Sequence, residues 1–257
     1  MIDNIFRSAS TMMLELRRQE SLSRNLAACN VPGYKREYVI SDTFKNKLQG
    51  ELNGKQMPQD YLTGPDSGES RIDFSQGALR NTGRKLDFAL EGEGFFQVTS
   101  PDGKVAYTRN GAFHVSKDSK LVTNEGFVVN GQGGDITFSS TDKLSNVEIT
   151  TDGLVRVKQD DTGKMKDLAK LKIVTFDNKD KLQRLTASYY GETKEAKMGD
   201  AVPGKYQVLN GYLEEANMTP ITEMASMIQS TRDFENGQKM LKMLDDRFQK
   251  ERNTFTR

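Results

Sequence analysis

The sequence predicts an α+β protein in which two helical ends form a coiled-coil-like assembly domain and the middle forms an all-β domain of short strands and tight turns. Three observations predict it. Apolar residues recur at steps of three and four near the ends, from Ile2 to Asn30 and from Thr219 to Phe248. Between about Ile72 and Leu209 the pattern changes to short β-branched and aromatic runs. Those runs are separated by pairs such as Asp102-Gly103 and Asn110-Gly111, which suit tight connections. The expected organisation is a helical domain from 1–36 and 210–257, an extended connector over 37–71, and a β-rich core over 72–209.

In the first helix Ile2, Ile5, Ala9, Met12, Leu16, Gln19, Ser23 and Leu26 make a seam of alternating three- and four-residue steps. The helix should end near Asn30, because Pro32 pushes Val31 out of the helical region and Pro32-Gly33 suits the centre of a type II turn. From about Glu37 to Arg71 the chain is polar and broken by Gly50, Gly54, Pro58, Gly64, Pro65 and Gly68, which reads as a connector. Strands are expected at 86–90, 95–98, 105–108, 112–115, 127–129, 147–150, 154–157, 171–176 and 206–209. Turns are expected at Asp102-Gly103, Asn110-Gly111, Glu125-Gly126, Asn130-Gly131, Asp152-Gly153 and Thr162-Gly163. Thr219 is a fitting N-cap for the last helix, with Pro220 at the first helical position where its missing N–H costs nothing. Its stripe is Met224, Met227, Ile228, Thr231, Phe234, Leu241, Leu244 and Phe248. Gly237 lies inside this helix, costs about 1 kcal/mol relative to Ala, and marks a place for a bend. The assembly contacts are expected at Ile5, Met12, Leu16 and Leu26 on the first helix, and at Met224, Ile228, Phe234, Leu241 and Leu244 on the second.

Lys and Arg number 37 against 36 Asp and Glu, so no global basic field draws the chain to nucleic acid. No apolar run approaches the roughly 18 residues of a membrane span, so membrane insertion is not expected. Arg7, Glu15, Arg17, Arg18 and Glu20 stand where an export signal would need an apolar block. The single histidine, His114, and the single cysteine, Cys29, supply neither a nucleophile dyad nor a metal set, so both read as structural and no cofactor is expected. Glu91-Gly-Glu-Gly94 lacks the full phosphate-loop pattern and runs into two phenylalanines, so its glycines read as a turn or a close backbone approach. No carboxylate pair stands out as an acid/base couple, and the expectation is a protein that is not an enzyme.

Three motifs together carry a family resemblance. Asn25-Leu-Ala-Ala-Cys-Asn-Val-Pro-Gly-Tyr-Lys35 resembles the N-terminal signature of the bacterial flagellar basal-body rod family. Gln76-Gly-Ala-Leu-Arg-Asn-Thr-Gly83, Leu86 to Phe96 and Tyr107-Thr-Arg-Asn-Gly111 resemble its core signature, and Gly211-Tyr-Leu-Glu-Glu-Ala-Asn217 with Glu223-Met224 and Arg232-Asp-Phe-Glu235 its C-terminal one. The residues that carry the match include Asn25, Leu26, Asn30, Pro32, Gly33, Tyr34, Lys35, Gly92, Gly94, Phe95 and Asn217. Ala28 and Val31 depart from the usual Asn and Thr or Ser. The Arg232-Asp-Phe-Glu235 motif and the short tail favour the proximal rod type, while length and Gly211-Tyr-Leu-Glu214 also suit the distal type.

What the resemblance implies is a structural subunit of the periplasm-spanning rod, polymerising through its terminal helices into a shaft that transmits motor torque. Its implied partners are further copies of itself, other axial proteins of rod and hook type, and the flagellar type III export apparatus, with no cleaved signal peptide. Two rival readings stay open: a secreted or periplasmic β-domain that binds carbohydrate or protein and oligomerises through its helices, and a hydrolase with dispersed carboxylates.

Overall fold

The computed structural model describes residues 2–40, 69–139, 146–158, 165–202 and 204–255, with side chains from 8 to 250. The chain packs as two units, one built from Met1–Ala27, Glu37–Asp73 and Thr219–Arg257, the other from Ala28–Arg36 and Phe74–Met218.

In the first unit, α1 (Ile2–Ala28) and α2 (Pro220–Phe255) are continuous helices. The Thr219 carbonyl accepts from the Glu223 N–H at 3.2 Å, so α2 begins where Thr219-Pro220 predicts. The helix runs on through Gly237 without a break. A Cβ there would sit 3.0 Å from Met12 Cγ, so the glycine leaves room for a side chain of α1. Two expected connector ends are strands: β1 (Glu37–Ile40) pairs antiparallel with β2 (Glu69–Ile72). Residues 41–68, the middle of that connector, lie outside the described residues.

The second unit contains the remaining strands: β3 (Leu79–Asn81), β4 (Phe88–Gly92), β5 (Phe95–Thr99), β6 (Val105–Thr108), β7 (Phe113–Val115), β8 (Leu121–Thr123), β9 (Val128–Gly131), β10 (Gly134–Asp135), β11 (Val147–Ile149), β12 (Leu154–Lys158), β13 (Met165–Lys170), β14 (Ile173–Phe176), β15 (Gln183–Arg184), β16 (Tyr189–Gly191), β17 (Met198–Asp200), β18 (Tyr206–Asn210) and β19 (Tyr212–Glu214). The main antiparallel sheet runs β15-β16-β6-β5-β9-β8-β7, with β10 beside β9 and β14 joining β5 to β17. Separate antiparallel groups are β11-β12-β13, β18-β4 and β19-β3. Along β12, Val155 and Val157 are buried and their neighbours are not, which is the alternation of a strand covered on one face. In β4 the consecutive Phe88, Ala89 and Leu90 are all fully buried, so that strand is covered on both faces. One core gathers Phe88, Leu90, Phe96, Phe113, Leu121 and Val155 among others.

The turns at Asp102-Gly103, Glu125-Gly126 and Asp152-Gly153 occur where expected, each closed by a glycine N–H bonding back to the carbonyl three residues earlier. Two do not. Asn130-Gly131 belongs to β9, and the reversal falls two residues later, at Gln132-Gly133, because Gly131 is paired with Gly134. Asn110-Gly111 does not join two strands of a hairpin; a Cβ on Gly111 would meet the Phe88 carbonyl oxygen at 1.6 Å, so this glycine serves a close backbone approach. Thr162-Gly163 lies outside the described residues.

Candidate functional site

The covered face of α2 is a line of buried or half-buried residues: Glu223, Met227, Ser230, Phe234, Gly237, Leu241, Leu244 and Phe248. Its steps alternate four and three, the helix-pair period expected from the sequence, but its chemistry differs from the expected stripe. Ser230 Oγ donates to Glu15 Oε2 at 2.7 Å, and Asn25 Nδ2 donates to Glu223 Oε2 at 3.0 Å. With Met12 beside Gly237, the contacts descend α1 as they ascend α2, so the helices run antiparallel. Asn25, wholly buried, also accepts from the Glu37 N–H and donates to the Glu37 carbonyl, at 2.9 and 2.8 Å. Ser21 donates to that same carbonyl at 2.8 Å. The Glu37 carboxylate in turn accepts from Arg24 and Ser70.

This network sets which face each helix buries. Of the expected contact residues, Phe234, Leu241 and Leu244 lie on the half-buried line of α2, and Met12 and Leu26 are half-buried on α1. Met224, Ile228 and Leu16 do not: they are 50%, 57% and 45% exposed. The expected seam on α1 is displaced by about one position, because Glu15, Ser21, Leu22 and Asn25 take the covered side. Hydrogen bonding chose that side, and counting apolar residues alone missed it. Ile5 lies within α1, outside the residues whose side chains are described.

In the second unit the three sequence signatures meet at one buried carboxylate. Glu214, at the end of β19, accepts through Oε1 from Lys35 Nζ at 2.5 Å and from the Gly77 N–H at 2.9 Å. Through Oε2 it accepts from Arg109 Nη1 at 3.3 Å. The Lys35 and Glu214 side chains have no exposed area, and Arg109 has almost none. Lys35 Nζ also donates to the Ser75 carbonyl at 2.6 Å, and Arg109 Nη2 to the Gly92 carbonyl at 2.8 Å. Burial pushes the Arg109 guanidinium pKa down while the Glu214 charge and hydrogen bond pull it back up.

Around Lys35 the backbone is held at each step. Tyr34 N–H bonds to the Val31 carbonyl at 3.2 Å with Gly33 at φ +70°, the type II turn that Pro32-Gly33 predicts. Gly33 N–H donates to the Glu214 carbonyl at 2.7 Å. Arg184 lies over the Tyr34 ring at 4.5 Å and donates to the Lys35 carbonyl at 2.5 Å. Arg36 N–H donates to Asn217 Oδ1 at 2.7 Å, and Asn217 Nδ2 reaches the Ser75 carbonyl and hydroxyl. These bonds place 28–36 in the β unit, where sequence reasoning grouped it with the helices. Gly92 N–H donates to Gln76 Oε1, Gly94 lies against Ile173, and Phe95 packs edge-on to Phe74 and Tyr190. Asn30 is exposed just beyond α1. Sequence reasoning missed Glu214 and Arg109 as partners of Lys35. The only available signal was that all three stand within the quoted motifs.

His114 is an exposed residue of β7 and Cys29 is a half-exposed free thiol in the turn after α1. Among the described residues, the large apolar side chains that the β unit exposes are Val105, Met165, Leu185, Met198 and Val202, none of them aromatic, so the aromatic groove expected of a carbohydrate binder is not among them. Among the described residues, no helix is long and apolar enough to cross a membrane.

Comparison with known proteins adds an independent line. A family model described as the flagellar hook protein FlgE/F/G D1 domain matches residues 89–157, and one described as the flagellar basal body rod FlgEFG protein C-terminal region matches 209–253. The chain is 30% identical to the flagellar basal-body rod protein FlgG of Bacillus subtilis, over 96% of each chain. It is 26% identical to FlgG of Borreliella burgdorferi over 96% of each, and 30% identical to the rod protein FlgF of Caulobacter vibrioides over 93% of each. These similarities lend no support to a binding module or a hydrolase.

Proposed function

The chain belongs to the flagellar basal-body rod protein family, and from that premise we propose that it builds the rod by joining copies of itself and other axial proteins through the helical face its own fold leaves uncovered. It is a structural subunit and not an enzyme. The observation that carries the assembly reading is the exposed row of Ile221, Met224 and Ile228 on α2, at 79%, 50% and 57% exposure. Met13 and Leu16 on α1 are exposed as well. Steps of three and four put the α2 residues on one stripe, and an apolar stripe in water is stabilised by a covering neighbour. A coiled-coil arrangement of these helices between subunits, passage through the flagellar type III export apparatus without a cleaved signal, and a position spanning the periplasm complete the proposal.

Ile228→Asp tests it. Placing a carboxylate in an apolar contact costs several kcal/mol, enough to stop polymerisation, while a residue so exposed leaves the monomer fold unchanged. Swimming on soft agar should be lost, rods should be missing by electron microscopy, and the purified chain should keep its circular dichroism. Normal swimming would remove the stripe from the assembly interface. Loss of the monomer's spectrum would show that Ile228 supports the subunit itself.

A further inference from the structure

Symmetry restricts what can cover the row Ile221, Met224 and Ile228. If two copies laid this row against each other, the contact would be isologous and would close at two subunits. A rod subunit has to repeat, so each copy must present two different patches, one met by the neighbour ahead and one by the neighbour behind. Among the described residues of the helical unit, the exposed large apolar side chains outside the row are Met13 and Leu16 on α1, Tyr38 on β1, and Met240 and Met243 on α2. Charge separates these candidates. In Ser8–Leu16 the only charged residue is Glu15, which is buried and bonded to Ser230 and Arg18. In Thr219–Thr231 the only one is Glu223, buried and bonded to Asn25. Both carboxylates are spent inside their own subunit, so each stretch is free of charge on its outer side, over lengths of about 14 and 20 Å. Met240 and Met243 instead stand among exposed Lys239, Lys242, Asp245 and Asp246, and Tyr38 lies opposite Arg71. The centre of an interface is depleted of charge because desolvating it is costly.

We propose that the row Ile221, Met224 and Ile228 of one copy is covered by Met13 and Leu16 on α1 of the next copy, a heterologous contact that rests on the assembly reading above and repeats without closing. The row lies about 130° around α2 from Glu223, Met227 and Ser230, so a neighbour reaches it while α1 of the same subunit keeps its place. Met13 and Leu16 are three apart on α1 and exposed, so their own α2 does not cover them. The two patches therefore coexist on one folded subunit. A growing chain of copies keeps an uncovered α1 patch at one end and an uncovered α2 row at the other, which gives the polymer a direction.

The experiment is cross-linking of the full chain in isolated basal bodies, in a Cys29→Ala background that removes the native thiol. Leu16→Cys and Met224→Cys are introduced singly and together, with Met13→Cys and Ile228→Cys as a second pair should the first not form rods. A short bismaleimide should turn the double variant into a ladder of dimers, trimers and longer products on a denaturing gel. Each single variant should stay monomeric, and the two single variants made in one cell should stop at the dimer. A dimer from Met224→Cys alone would make the contact isologous, and intact rods with no ladder from the double variant would equally overturn the proposal. Leu16→Asp supplies the second measurement: swimming should be lost as completely as in Ile228→Asp while the purified chain keeps its circular dichroism. Normal swimming of Leu16→Asp beside a non-motile Ile228→Asp would overturn the α1 patch and leave the assembly reading standing, whereas normal swimming of Ile228→Asp removes that reading itself. Loss of circular dichroism in Leu16→Asp would assign Leu16 to the subunit's own fold and overturn the proposal.

Discussion

Gly111→Ala should be among the most destabilising single-methyl additions in this protein, for a reason separate from backbone conformation. The added Cβ would lie 1.6 Å from the Phe88 carbonyl oxygen and 2.7 Å from its carbon, both backbone atoms that cannot rotate away. Restoring an ordinary contact of about 3.4 Å or more requires one chain to move by nearly 2 Å. That movement would break the 3.0 Å bond from the Phe88 N–H to the Gly111 carbonyl and loosen the 3.3 Å bond from Phe113 to Leu86. Two backbone bonds contribute about 1 kcal/mol each, and overpacking a fully buried site adds about 1–3 kcal/mol. The sum is about 3–5 kcal/mol, a large fraction of the 5–15 kcal/mol typical of a domain. Gly103→Ala is the control: φ is +79° and nothing lies within 4 Å of its Cβ, so only conformational strain of about 1 kcal/mol applies. Denaturant unfolding followed through β-unit fluorescence should show the larger midpoint shift for Gly111→Ala at unchanged slope. A Gly111→Ala shift no greater than that of Gly103→Ala would refute the close-approach reasoning.

Gly237→Ala should change helix melting little in the wild-type background, since about 1 kcal/mol of gained propensity is offset by the 3.0 Å approach to Met12 Cγ. Combined with Met12→Ala it should raise the helix melting temperature, and an equal gain in both backgrounds would show that the two residues do not press on each other. Alkali should also act through the β unit: burial first, then the Glu192 charge and hydrogen bond, push the Tyr107 phenol up to about 12. A phenol near 10 when unfolded and near 12 when folded holds its proton more tightly in the folded state, so its contribution is complete below pH about 10 and lost as pH rises through about 12. Burial raises Tyr189 and Tyr190 in the same direction. Phenolate absorbance should therefore lag behind free tyrosine and rise together with loss of the β circular dichroism signal; full ionisation near pH 10 with the signal intact would contradict it.

Local chemistry was the legible part of the sequence. Pro32-Gly33, Asp102-Gly103 and Thr219-Pro220 each place a boundary within a few residues because φ restrictions and missing N–H groups act without tertiary help. The central strands 95–99 and 105–108 follow from β-branched and aromatic runs. β3 and β19 escaped notice because Leu79–Asn81 and Tyr212–Glu214 are short, partly polar segments that become strands by pairing with each other across more than a hundred residues of chain. Lys35, Arg109 and Glu214 are ordinary surface residue types by composition. Only the fold brings them within bonding distance, and no periodicity encodes that.

The helix pair shows why a polar seam suits a subunit of an assembly. Had Met224 and Ile228 faced α1, the pair would have buried its strongest apolar residues internally and left Glu223, Ser230 and Gly237 outward, a face with little to gain from a neighbour. The observed phase is the reverse. Asn25 with Glu223, and Ser230 with Glu15, fix the register through buried hydrogen bonds, whose directionality specifies position more sharply than methyl contacts do. Gly237 lets Met12 approach without filling the gap with further apolar volume. The apolar row at Ile221, Met224 and Ile228 is thereby left available, and on the proposed assembly it is the part of the helix that a second subunit covers.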